Sequence, residues 1–252
     1  MTDGVLLDVL DEAAGAVHRS LADVDDWRPS TERSGQYAID VVADAAAVAV
    51  LVGHGLGVLS EESGAHHPER DVVVALDPVD GSTNASRGLP WYATSLCAVD
   101  GNGPLAAVVV NQASGERFEA VRGCGARCDG RTIRASGCGE MGEAIVAVSG
   151  LPPIHWGWSQ YRSLGAAALD LCYVGAGRLD GYASTSRSAL GPWDYLGGLL
   201  VCQEAGAAVA DVGGRELVVL DHGARRSPAA AATPALLDQI LGANGGQAGR
   251  GR

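Results

Sequence analysis

A chain of 252 residues with 47% apolar side chains can bury a sizeable core, which excludes disorder for most of its length. With 18 basic against 30 acidic residues the formal net charge is −12, a surface that repels phosphate backbones and excludes a nucleic-acid polymer as partner. No apolar run reaches the roughly 20 residues of a membrane span, and the acidic start MTDGVLLDVLDEA lacks the positive charge of a signal peptide, so the chain reads as cytoplasmic.

Val5, Leu6, Val9, Leu10, Ala13, Ala14 and Val17 follow the stripe of an amphipathic helix, and Ile39, Val42, Ala46 and Val50 predict a second over about Tyr37 to Val52. The glycines from Gly53 to Gly57 break it. Val58 to Ser60 reads as a short strand running into Glu61-Glu62, and Val72 to Leu76 as a buried strand that ends at Asp77. Tyr92 to Val99 and Leu105 to Val110 predict neighbouring strands joined by the turn Asp100-Gly-Asn-Gly-Pro104. Phe118 to Val121, Arg131 to Ala135 and Ala144 to Val148 predict further strands. Helices are expected at Tyr161 to Ala176, at Trp193 to Ala205, and from the Thr233-Pro234 start to about Leu241. Gly242 to Arg252 reads as a flexible tail. Helices and strands mix without strict βαβ alternation or internal repeat, which predicts an α+β layered architecture. The six cysteines are spread through apolar segments, and Cys124, Cys128 and Cys138 lack the paired spacing of a zinc site, so reduced, packed thiols are expected.

The chemistry concentrates in Leu76-Asp-Pro-Val-Asp-Gly-Ser-Thr-Asn84. Asp77 and Asp80 close a buried strand, where a sheet opens its crevice to a ligand. Two carboxylates this close repel unless a cation lies between them, and hard oxygen donors select Mg²⁺ or a similar ion. The amides of Gly81, Ser82 and Thr83 can form an anion nest behind it. A metal and a nest together describe a phosphate site. Taken alone the stretch could be an ordinary Asx turn, and Asp194, after Trp193 at a helix start, an ordinary cap.

Together, Leu59-Ser-Glu-Glu-Ser63, the Asp77 to Asn84 run, Pro192-Trp-Asp194 and Glu204-Ala-Gly206 resemble the inositol monophosphatase family. Arg162 to Ala168, Gly177 to Tyr182 and Gly88-Leu-Pro90 with Ser95 extend the resemblance over nearly the whole chain. It implies a lithium-sensitive, Mg²⁺-dependent phosphomonoesterase with two or three ions per site, built as a layered αβαβα sandwich of the sugar-phosphatase type. It implies one domain over 1–240, with a metal- and phosphate-binding half to about 140 and a second half completing the site, in a homodimer. Glu61 and Asp77 would hold the first metal with the carbonyl of Val79. Asp77, Asp80 and Asp194 would hold the second, and Glu62 would support Glu61 from outside. Asp40 would pair with Ser82, and these two with Glu61 would orient and deprotonate the attacking water.

Departures bear on the substrate. The family's threonine ahead of Asp40 is Tyr37 here, and Ser82 stands where threonine is usual. Inositol phosphatases carry a carboxylate shortly after the segment matching Asp180-Gly-Tyr182, whereas Ser184 to Ser188 holds none. A small phosphate ester is expected, with inositol monophosphate the default. The alternatives are fructose 1,6-bisphosphate or 3′-phosphoadenosine 5′-phosphate, with Arg187 meeting the second phosphate. A non-catalytic regulatory member would have lost a ligand carboxylate, and none is lost. A dinucleotide fold on Gly53-His-Gly-Leu-Gly57 fails the G-x-G-x-x-G spacing, and His66-His67 reads as an exposed loop beside the glutamates.

Overall fold

A computed structural model describes residues 2–22, 38–185 and 190–245. Among the described residues, two sheets and the helices around them stack as five layers, α, β, α, β, α, in agreement with the αβαβα sandwich. The outer layer is α1 (Asp3–Ala22) with α2 (Ala38–Gly53). Beneath it lies the first sheet, in the order β2-β1-β3-β4-β5-β6-β7-β8. Its strands are β1 (Gly57–Ser60), β2 (Gly64–His66), β3 (Val73–Asp80), β4 (Ala93–Asp100), β5 (Gly103–Asn111), β6 (Arg117–Val121), β7 (Gly125–Cys128) and β8 (Arg131–Thr132). A short helix, α3 (Ser82–Ser86), follows β3. The middle layer is α4 (Ala167–Gly175) against α5 (Pro192–Glu204), which touch so closely that a Cβ at Gly198 would sit 2.5 Å from that of Leu171. The second sheet is ordered β10-β9-β11-β13-β12, from β9 (Ile145–Ser149), β10 (Gln160–Arg162), β11 (Gly181–Ser184), β12 (Ala208–Asp211) and β13 (Pro228–Ala231). Helix α6 (Pro234–Gly245) covers its far face.

Strand alternation builds the cores. Val74, Leu76, Leu96, Ala98, Ala106 and Val108 face α1 and α2, while Ala75, Cys97, Ala107 and Val109 face α4 and α5. Residues on β3 in step with Ala75 therefore look into the middle layer. That face receives the site.

Several expectations change. The stretch from Tyr161 does not begin a helix: Gln160–Arg162 pairs in parallel with β9, and α4 starts only after Gly165, whose φ of +88° interrupts the chain. Gly242 to Gly245 belongs to α6 and not to a tail, because the buried amide of Asn244 donates to the carbonyl of Ser184 at 2.8 Å. The strand over Arg131 to Ala135 is reduced to two residues. Strands β2, β7, β11, β12 and β13 carry no local signal strong enough to predict them. The alanine run of β13, interior to its sheet between β11 and β12, has low strand propensity and is held by pairing on both sides. The rest of the proposed tail, 246–252, and the residues Tyr37 and Arg187 lie outside the described residues.

Candidate active site

The sequence puts Asp77 and Asp80 three apart, which on a regular strand aims them at opposite faces. Strand β3 does not end at Leu76 as expected. It continues through Asp80 with a bulge: Asp77 opposes Ser95 and Asp80 opposes Ala93, so three steps on one strand match two on the other. That extra residue turns both carboxylates toward α4 and α5. The amide of Val79 donates to Asp77 Oδ1 at 2.9 Å and the hydroxyl of Thr94 holds the Pro78 carbonyl at 2.8 Å, which fixes the bulge. Ser95, the cross-strand partner of Asp77, donates to the carbonyl of Trp193 at 3.0 Å and so pins the first turn of α5 beside Asp77. Asp194 is the third residue of that helix; its Oδ2 accepts the amide of Gly191 at 2.7 Å. It thus caps its helix and faces the cluster as well.

Glu61 arrives at the end of β1, its amide donating to the Leu76 carbonyl at 3.1 Å. The turn it opens is held from beneath, where the Ser60 hydroxyl donates to Asp44 and accepts the amides of Glu62 and Ser63 at 3.1 and 3.4 Å. Asp44 and Asp40 lie one turn apart on α2 and both are buried. Gly81 takes φ +90° ahead of right-handed Ser82, the backbone order of an anion nest. A Cβ there would come within 3.0 Å of the Trp91 carbonyl.

Carboxylate oxygens of Glu61, Asp77 and Asp194 lie within 4.8 Å of one another. Burial, reinforced by the Asp194, Glu62 and Asp40 charges, pushes Glu61 up to about 8. Burial and the surrounding acids Glu61, Asp80, Asp194 and Asp40 lift Asp77 well above the carboxylate range. Burial with Asp170 and Glu61 raises Asp80 to about 8 against the amide of Ala168, which donates to its Oδ2 at 2.7 Å. Burial and Asp80 raise Asp194 to about 7, opposed by the Gly191 amide and the nearby Arg225 guanidinium. An all-oxygen, all-acidic set this concentrated matches a hard divalent cation.

The structure brings together Glu61, Asp77, Asp80 and Asp194, with Asp40 close enough to act on Glu61 and Asp77. The expected pairing of Ser82 with Asp40 is not formed. Ser82 donates instead to the Val79 carbonyl at 2.9 Å, the local bond a serine makes at a helix start. Thr83 is exposed. His66 is no loop residue: it lies in β2, its Nε2 2.7 Å from the Ser63 hydroxyl, while His67 is exposed. All six cysteines are free, four of them buried and Cys124 exposed.

Sequence reasoning missed three contributors. Asp44 and Ser60 support the glutamate turn; the i, i+4 spacing of Asp40 and Asp44 on an apolar helix was the available signal. Asp170, fully buried behind Asp80, accepts the Trp91 indole N–H at 3.0 Å. The third is the Asp221–Arg226 loop, whose His222 Nε2 lies 3.1 Å from the Glu61 carbonyl. It had no sequence signal because it reaches the site across 161 positions.

The family model described as the inositol monophosphatase family matches residues 29–243. An inositol-1-monophosphatase of Mesorhizobium japonicum is 34% identical over 253 residues, covering 88% of this chain and 91% of that protein. The Nus factor SuhB of Escherichia coli is 34% identical over 173 residues, 62% of this chain and 63% of its own length. Among solved structures, the inositol monophosphatase of Anabaena has a TM-score of 0.79 at 26% identity, covering 95% of each chain. The extragenic suppressor protein SuhB of Bartonella henselae has 0.80 at 27%, covering 95% of this chain and 98% of that one.

Proposed function

Since this chain belongs to the inositol monophosphatase family, we propose that it is a metal-dependent phosphomonoesterase acting on a small phosphate ester. The observation that carries the reading is the convergence of Glu61, Asp77, Asp80 and Asp194, buried or half-buried, with burial and neighbouring carboxylates holding the proton affinity of all four above the ordinary carboxylate value. Glu61, Asp77 and the Val79 carbonyl would hold one Mg²⁺, and Asp77, Asp80 and Asp194 a second. When bound, Mg²⁺ polarises the phosphoryl oxygens and makes water a nucleophile near neutral pH.

The chain's own groups do the rest. Amides of Gly81, Ser82 and Thr83 cradle the phosphate, and the αL glycine lets the backbone approach it. Glu61, next to the buried charge of Asp40, takes the proton of the attacking water. The Ser82 hydroxyl, which donates to the Val79 carbonyl, would have to leave that carbonyl to join the proton path of Glu61 and Asp40. No residue is phosphorylated.

Inositol monophosphate is the reference substrate, after the name of the Mesorhizobium relative. The segment after Tyr182, where a carboxylate is expected to grip ring hydroxyls, holds no acid from Ser184 to Ser188, which favours a broad sugar or polyol phosphatase. The experiment is a panel of phosphate esters at fixed Mg²⁺, with and without Li⁺. Release of phosphate that requires Mg²⁺ and falls with Li⁺ supports the reading. A single ester preferred by more than about a thousandfold would overturn the broad-substrate part. Absence of turnover on every ester would favour the non-catalytic role. We also propose a homodimer through the exposed apolar side chains Leu151, Ile154 and Tyr161. Their neighbours Trp156 and Trp158 are buried behind them, not presented. Light scattering tests it, and a monomeric mass removes it.

A further inference from the structure

The Asp221–Arg226 loop lies against the acidic cluster at Glu61 and beside Asp194, and is tied down at both ends. The turn at Asp221 is closed by the Gly223 and Ala224 amides, which donate to its side chain at 2.9 Å and to its carbonyl at 3.0 Å. His222 reaches the Glu61 carbonyl and packs its ring 4.9 Å from the Trp193 indole. At the other end Arg226 and Leu190 exchange two backbone hydrogen bonds, at 2.9 and 3.1 Å. Between these ties Arg225 lies over the Trp193 ring, 5.2 Å from its centroid, and Trp193 directly precedes Asp194.

The half-buried Arg225 is incompletely used. Its Nη1 donates to the carbonyls of His222 and Ala224 at 2.9 and 2.8 Å. Its Nε–H and Nη2 make no hydrogen bond, and it forms no ion pair, among the described residues. The half-buried arginines around it differ: Arg226 Nε is spent on the Glu216 carbonyl at 2.7 Å, and Arg215 is locked on Asp211 at 2.8 Å. Nε and Nη2 together form one edge of the guanidinium fork, the edge that grips a phosphate or carboxylate through two parallel bonds. The cation–π contact and the backbone ties hold that edge in place before any ligand arrives. It also acts on Asp194, lowering that group's proton affinity.

We propose that Arg225 is a specificity-determining residue that binds a second phosphate on the substrate, while the ester phosphate to be cleaved sits at the carboxylate cluster. The substrate class is then a compact bisphosphate, in preference to the corresponding monophosphate. This rests on the phosphatase reading of the same site. It gives the second-phosphate role to an arginine held beside Asp194.

The test compares fructose 1,6-bisphosphate with fructose 6-phosphate on the full chain, by steady-state kinetics with Mg²⁺ and by calorimetric binding with Ca²⁺ replacing it. The wild-type protein should favour the bisphosphate by about tenfold or more in both kcat/KM and Kd, the size of one charge-assisted bidentate contact. In Arg225→Gln that preference should fall below about threefold, mostly through KM, and Arg225→Lys should restore part of it. Thermal melts and monophosphate binding of each variant show that the fold and the cluster persist. Equal affinity of the wild-type protein for both esters overturns the proposal, and so does an equal loss on both esters in Arg225→Gln. A binding preference without any turnover would retain the proposal and sink only the phosphatase reading.

Discussion

Replacing Asp77 by asparagine removes a deeply buried titrating group of the cluster while keeping its shape, and the spacing of the carboxylates sets the size of the effect when divalent cations are removed. Oxygens of Glu61, Asp77 and Asp194 lie within 4.8 Å of one another; at an effective dielectric of about 20, two charges so placed repel by about 3–4 kcal/mol. Burial and the acids Glu61, Asp80, Asp194 and Asp40 lift Asp77 well above the carboxylate range, so the wild-type group meets this repulsion by holding a proton. Hydrogen bonds from Asp77 to Glu61 and Asp194 let the group share protons, so only part of this charge is present near pH 8. A net gain of about 2 kcal/mol for Asp77→Asn remains, or about 4–8 °C in Tm for a chain of this size. The pH dependence has a definite sign. A carboxyl whose folded pKa is raised contributes stability that is complete below its unfolded value and lost as pH rises through the folded value. The metal-free protein should therefore weaken between about pH 5 and 8.5, spanning the rise of Asp194 to about 7 and of Glu61 and Asp80 to about 8. Thermal unfolding in EDTA at pH 5.5 and 8.5, repeated with Mg²⁺, reads all of this. The variant should melt above wild type at pH 8.5 in EDTA, gain less from Mg²⁺, and release no phosphate. A variant that melts lower than wild type there, or a wild-type melt indifferent to pH, would refute the account of the cluster as mutually repelling carboxylates that await a cation.

Ser82→Ala should lower kcat by about 10²–10⁴-fold, the range of a proton-relay contribution, with little change in Tm; a loss under tenfold in steady-state kinetics would remove Ser82 from the proton path. Gly81→Ala forces a side chain into φ +90° and against the Trp91 carbonyl at 3.0 Å, and should cost about 1–3 kcal/mol by denaturant unfolding as well as raise KM. An unchanged midpoint would show that the loop can move aside. Ser60→Ala deprives buried Asp44 of its hydroxyl donor and the glutamate turn of its acceptor, and should destabilise by about 1–3 kcal/mol. Preservation of both stability and Mg²⁺ affinity would show that this support is dispensable.

Local sequence determined what depends on neighbours along the chain. The stripe from Val5 to Val17 makes α1 because residues three and four apart share a helix face. The run before Asp77 makes a buried strand, and the order of acidic motifs names the family. Tertiary structure decided what depends on partners far away. Asp77 and Asp80 share a face only because β4 accepts them across a bulge, a matter of register that the stretch itself does not carry. The segment at Tyr161 looked helical until β9 offered it a pairing edge, and Ala229 to Ala231 became strand only between β11 and β12. Asp194 reached the cluster because Ser95 holds the carbonyl of Trp193, 98 positions along the chain. Arg225 stands beside Asp194 because its loop is fastened to Glu61 and Leu190. Composition and spacing announce which groups a site will use. Their aim is set by hydrogen bonds and packing that form only after the chain has folded back on itself.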